Sequence, residues 1–222
     1  MNDKVLQQRD YWDDVAETKT FSHPLNSSWL TDELPRTARL LDFGCGYGRI
    51  VHELWSLGYQ QTLGLDFSPD MIARGRRTYP MLDLRFTNGV PTADTIGHFD
   101  GILLFAVLTC NPDGASQERL IGQLAQLLRP GGLLYISDYP VQTDQRSTRR
   151  YDAFLSKYGT YGIFETSDGA IVRHHDSEWL AHLFAGFEAI QSAEIETHTM
   201  NGHPARATQL LLRKKLHCAW SV

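Results

Sequence analysis

Residues 40–50 read LLDFGCGYGRI, and no other stretch of the 222-residue chain constrains the fold as strongly. Leu40, Leu41 and Phe43 read as the end of a buried strand, and the three glycines alternating behind Asp42 read as a tight turn into a helix. A loop in which every second residue lacks a Cβ turns backbone, rather than side chains, toward a ligand. Beyond it Ile50, Val51, Leu54 and Leu57 recur at helical spacing until Gly58 stops the run.

Strand-like and helix-like segments go on alternating to about residue 138, which predicts parallel strands joined by crossover helices. QTLGLDF is a short buried strand. Ser68 is placed to cap the next helix, with Pro69 in its first turn and Met71 and Ile72 facing inward before a break at Pro80. LDLRFTN alternates as a third strand, and FDGILLFAV is a near-continuous apolar fourth, suited to a sheet covered on both faces. Leu120, Ile121, Leu124, Leu127 and Leu128 form an amphipathic helix ending at RPGG, with LLYISDYP following as a fifth strand.

After Pro140 the rhythm changes. Residues 141–160 read as a polar helix, and YGIFETSDGAIVRHH as a hairpin turning at Asp168 and Gly169. A helix from Asp176 to about Phe184 then leads into two closing strands, EAIQSAEIETHT and ATQLLLRKK, joined by the turn MNGHPAR. The aromatic first 35 residues, with Tyr11, Trp12, Phe21 and Trp29, are expected to pack as a cap. The expected organisation is one domain: a cap over 1–36, a core over 37–140, an insertion over 141–175 that roofs the site, and a closing helix and strands over 176–222.

Composition excludes several classes. A net charge of −5 gives no general attraction to nucleic acid or an anionic membrane, and the local patch Arg146, Arg149, Arg150 reads first as a solvated helix face. No apolar run is long enough to span a bilayer and MNDKVLQQRD does not resemble a signal peptide, so a cytoplasmic location is expected. Cys45, Cys110 and Cys218 have neither metal-binding nor redox spacing, which suits a reducing compartment. A dinucleotide-binding loop would need a third glycine where Arg49 stands, and Asp42 would set a carboxylate near a pyrophosphate; a cationic cofactor favours that charge instead.

LLDFGCGYG resembles the D/E-x-G-x-G-x-G motif of class I S-adenosylmethionine-dependent methyltransferases, and further features fall in that family's order over about residues 38–140. The resemblance implies an α/β fold, a seven-stranded mostly parallel Rossmann-like sheet with an antiparallel last strand, and S-adenosylmethionine as cofactor. It implies that Asp42, Gly44, Gly46 and Gly48 build the cofactor loop and that Asp66, ending the second strand, bonds the ribose hydroxyls. Phe67 and Met71 would flank the adenine and Asn88 would read its amino group, although Asn-Gly is also a plain turn signal. Phe105 is either core or cofactor wall, and Tyr11 either packs or reaches over the cofactor carboxylate.

The methyl acceptor has to be argued from the site. The segment AVLTCNPD after the fourth strand lacks the N/D-P-P-Y/F tetrapeptide of enzymes acting on base amines or glutamine, and no oxygen-ligand spacing suits a metal-assisted reaction. Methyl transfer then needs alignment and, for some acceptors, a base; histidine suits that task, and six of the nine histidines follow residue 173. Ligands of open α/β sheets lie beyond the carboxyl ends of the strands, which brings Asp138, Tyr139 and His174 to one edge and His203, with Asn201 and Arg206, to it from the closing turn. Adjacent His174 and His175 on a strand would face opposite ways. The insertion and FSHPL are the expected specificity elements for a small-molecule acceptor, with a monomer or homodimer as the working form. RNA or protein methylation, or a non-catalytic cofactor-binding domain, are the alternatives.

Overall fold

The computed structural model describes the backbone of residues 3–216 and the side chains of residues 9–216; Cys218 lies outside them. The cap is two helices, α1 (Asp3–Asp14) and α2 (Ser27–Thr31), joined by an extended segment. The core alternates β1 (Leu40–Phe43), α3 (Arg49–Ser56), β2 (Thr62–Asp66), α4 (Pro69–Thr78), β3 (Asp83–Phe86), a one-turn α5 (Ala93–Ile96), β4 (Phe99–Phe105), α6 (Gly114–Leu127) and β5 (Leu128–Asp138). The insertion is α7 (Gln145–Tyr158) with the hairpin β6 (Ile163–Glu165) and β7 (Ile171–Arg173); α8 (Ser177–Leu183), β8 (Phe187–His198) and β9 (Pro204–Lys214) close the chain.

The seven-stranded sheet runs β3-β2-β1-β4-β5-β9-β8, as the resemblance implied. β1 to β5 are mutually parallel, and β9 runs antiparallel to both neighbours, β5 and β8. The chain leaves β1 toward β3 and returns to β4 on the other side, so a crevice opens beyond the carboxyl ends of β1 and β4.

Side chains two apart along a strand share a face. Ile102, Leu104, Leu134 and Ile136 join the core under α6 and α8, while Leu103, Leu133 and Tyr135 join the one under α2 and α3. Burial on both faces explains why β4 reads as an unbroken apolar run. The helices start where side chains accept their free N–H groups: Ser68 caps α4, Asp113 α6, Asp144 α7 and Asp176 α8.

Boundaries differ from the sequence expectation in places: Pro204, Ala205 and Arg206, expected in the closing turn, already pair with β8 as the start of β9, and α7 begins only at Gln145. RPGG does not separate α6 from the fifth strand; it is part of β5, with Leu128 already paired to Phe99 before a register shift. Leu128 therefore belongs to the strand, and Gly131, at φ +73°, absorbs the irregularity. Among the described residues no helix is long and apolar enough to cross a membrane.

Candidate active site

A cleft of about 860 Å³ runs from the glycine loop to the insertion, within the size range of small-molecule sites, roughly 300–1,000 Å³. Gly44 lies at φ +78°, and a Cβ there would stand 2.5 Å from Val107 Cγ2, just past β4. Only glycine lets the loop after β1 approach the far side of the crevice that closely. Gly48, at φ +85°, is not part of the cleft wall; a Cβ there would meet Leu84 Cδ1 at 2.8 Å. It lets α3 start tight against β3, a packing role where the cofactor role was expected.

Asp66 lies in the cleft wall and also ties the loop together. Its Oδ2 accepts the Gly46 N–H at 2.7 Å and its Oδ1 the Ser68 N–H at 2.9 Å. Burial pushes its pKa up to about 6, against the Ser68 and Gly46 bonds that lower it. Asp42 is buried, its Oδ2 has no hydrogen-bond partner, and burial pushes it up to about 7 while Arg49 pulls the other way. An unsatisfied carboxylate oxygen beside a cleft suits a cationic amino group. Phe67, Met71, Asn88 and Phe105 all line the cleft, and Phe105 also packs edge-on against Tyr135, so it is both wall and core.

The other end of the cleft is walled by rings. Tyr139 has His23 edge-on at a centroid distance of 4.7 Å and His174 stacked at 5.2 Å. Each imidazole is anchored through Nδ1, His23 to Ser137 Oγ at 2.8 Å and His174 to Tyr151 Oη at 2.6 Å. Burial drives His23 down to about 4, helped by Arg49, and His174 down to about 3, helped by Arg150, so both rings are neutral near pH 7. Asp168, at the hairpin turn, ties three segments together. Its carboxylate receives Lys19 at 2.7 Å, Tyr11 Oη at 2.9 Å and Asn201 Nδ2 at 3.3 Å, joining cap, insertion and closing turn. Burial alone would raise Asp168, but these bonds hold it well below the usual carboxylate range.

Several expected site residues are placed elsewhere. Asp138 is buried and absent from the cleft wall: its oxygens accept Tyr139 N–H at 2.8 Å and Thr109 N–H at 3.2 Å, fixing the turn after β4, so it positions backbone rather than meeting an acceptor. Tyr11 is committed to Asp168 and does not line the cleft. Arg206 turns to Thr143 and Glu194. His203 stands exposed at the mouth, with its backbone N–H on Thr199 Oγ1. His174 and His175 do face apart; His174 lines the cleft, whereas His175 reaches Gln117 beneath α6.

The sequence reading missed Tyr151 and did not single out His23 within FSHPL. It also took Arg146 and Arg150 for a solvated face, yet both line the cleft. Their spacing of four on one helix was a legible signal that they share a side.

The family profile described as Methyltransferase domain matches residues 19–191. Over 158 residues the chain is 29% identical to the ribosomal protein L11 methyltransferase of Bordetella parapertussis, covering 70% of this chain and 48% of that protein. It thus spans about half the length of that relative. A SAM-dependent methyltransferase structure from Methanosarcina mazei superposes with a TM-score of 0.77 at 22% identity, over 84% of this chain and 97% of that one. The 1,6-didemethyltoxoflavin-N1-methyltransferase of Burkholderia thailandensis, solved with its substrate and S-adenosylhomocysteine, superposes with a TM-score of 0.58 at 21% identity, over 85% and 76%. With the sheet order, the glycine loop and a profile match over most of its length, this chain belongs to the class I S-adenosylmethionine-dependent methyltransferases.

Proposed function

We propose that the protein transfers the methyl group of S-adenosylmethionine to an oxygen, nitrogen or sulfur of a compact small molecule, without a metal. The observation that carries this reading is a cleft of about 860 Å³, the size of small-molecule sites, at whose far end cap, hairpin and closing turn are joined through Asp168. Among the described residues no group of three or more His, Cys, Asp and Glu is arranged to hold a metal.

The residues present fit the cofactor. Asp42 would take its amino group and Asp66 its ribose hydroxyls, since each carboxylate oxygen of Asp66 keeps a lone pair beyond its backbone bond. Phe67 and Met71 would flank the adenine beside Asn88. When bound, the cofactor supplies a methyl carbon activated by the sulfonium.

Alignment of the acceptor falls to the ring wall. In the tautomer that donates Nδ1–H to Tyr151, His174 keeps Nε2 as an acceptor for a hydroxyl or amine hydrogen, whereas His23 Nε2 is buried without a partner and its ring acts by packing against Tyr139. A ring with a pKa near 3 or 4 is a poor proton sink at neutral pH. Both histidines are therefore better suited to orienting an acceptor than to holding its proton.

A screen of thiols, phenols and heterocyclic amines, read by S-adenosylhomocysteine release, tests the proposal. Turnover of a small acceptor supports it. Turnover confined to an intact protein substrate, as the name of the Bordetella relative suggests for that enzyme, overturns the small-molecule reading.

A further inference from the structure

Arg146 and Arg150 stand one turn apart on α7 and both line the acceptor end of the cleft. Among the described residues no carboxylate lies within salt-bridge distance of either guanidinium. The acidic groups nearby are engaged elsewhere: Asp144 accepts the Ser147 N–H at 3.0 Å, and Glu165 takes Lys157 and Tyr158.

Arg150 is also built into place. Its guanidinium carbon sits 4.0 Å from the centroid of the Phe164 ring, Nη2 donates to Ser147 Oγ at 3.2 Å, and the buried Nε–H has no partner. A planar fork pressed on an aromatic face, with donors unspent, is a preorganised site for a carboxylate or phosphate. A half-buried cation with no counter-ion in contact, and only the more distant charge of Asp144 to offset it, is costly unless a ligand supplies one. The positive potential of Arg150 reaches the ring wall: after burial itself it is the foremost charge holding His174 neutral, followed by His175, while Asp144 opposes it and Arg146 adds the smallest share.

We infer that the methyl acceptor carries an anionic group, a carboxylate or a phosphate, which Arg146 and Arg150 bind while Tyr139 and His174 pack against its body. The inference rests on the small-molecule reading above and names the class of acceptor within it. It also disfavours a basic peptide segment, whose charge would meet two guanidiniums with no carboxylate in contact.

The test uses the full-length protein saturated with S-adenosylhomocysteine and four probes of matched shape: benzoate, phenyl phosphate, benzamide and benzylamine. Isothermal calorimetry should show one or both acids binding at least about tenfold more tightly than benzamide, with benzylamine weakest. Whether benzoate or phenyl phosphate is preferred identifies the anion. Arg146→Gln, at an exposed position, and Arg150→Gln should each weaken the acids several-fold. Arg150→Lys should restore only part, because it keeps the charge and loses the fork. Affinity for S-adenosylhomocysteine should stay within about twofold, which also reports that the variants are folded. Acids that bind no better than benzamide, or acid binding that survives the double Gln variant, overturn the inference while leaving the methyltransferase reading intact. Failure of the wild-type protein to bind S-adenosylhomocysteine at all would overturn both.

Discussion

Replacing Asp66 separates its structural duty from its proposed cofactor duty. Asp66→Ala deletes the acceptor of two N–H groups, those of Gly46 at 2.7 Å and Ser68 at 2.9 Å. Stranding a donor costs about 1–3 kcal/mol, so roughly 2–6 kcal/mol is at stake for the pair. Two effects pull the net toward the low end. Water can enter from the cleft to serve the stranded groups. The carboxylate's folded pKa, about 6, also exceeds its unfolded value, so its ionised form opposes folding increasingly as pH rises from about 4 through 6, and removing it relieves that cost. A loss of about 2–3 kcal/mol at pH 7 corresponds to a melting temperature lower by roughly 4–12 °C for a chain of this size. Asp66→Asn, which keeps one acceptor oxygen, should lose about half as much and stay folded at 25 °C. In that variant calorimetry should show S-adenosylhomocysteine bound at least about tenfold more weakly. An alanine variant melting within about 1 °C of wild type would refute the loop-tying argument. An asparagine variant with unchanged cofactor affinity would refute the ribose assignment independently.

Three further outcomes follow from the geometry. Asp42, lifted to about 7 in the free protein, should lose its proton when a cationic amino group binds; S-adenosylmethionine affinity should then rise as pH climbs through 7, with proton release seen by calorimetry in buffers of different ionisation enthalpy, and Asp42→Asn should flatten that profile. Gly48→Ala forces a Cβ to within 2.8 Å of Leu84 at positive φ, and should lower stability by about 1–3 kcal/mol in thermal unfolding; a neutral effect would mean that α3 and β3 separate freely. If His23 and His174 align the acceptor, alanine at either should reduce turnover on the true substrate by at least about tenfold with cofactor affinity unchanged, and Tyr151→Phe should reproduce part of the His174 loss; full turnover in both histidine variants would leave simple proximity as the mechanism.

The sequence by itself determined the sheet and, apart from Gly48 and Tyr11, which residues gather at the proposed cofactor end of the cleft, because both depend on short-range signals. Alternating glycines, the near-continuous apolar run of β4 and the capping residues Ser68 and Asp176 act over a few positions, and Gly44, Gly46, Asp66, Phe67 and Met71 stand together because their strands end at one crevice. The acceptor half depends on contacts between distant segments, and there local pattern was a poor guide. His23 and His174 meet around Tyr139 from the cap and the end of the hairpin, and Arg150 turns inward because Phe164 offers its face. Asp138 occupies the expected sheet edge yet is spent on two backbone N–H groups, since a buried turn has to satisfy its own donors. Only the tertiary structure decided which polar side chains were consumed by the backbone and which remained free to face a substrate.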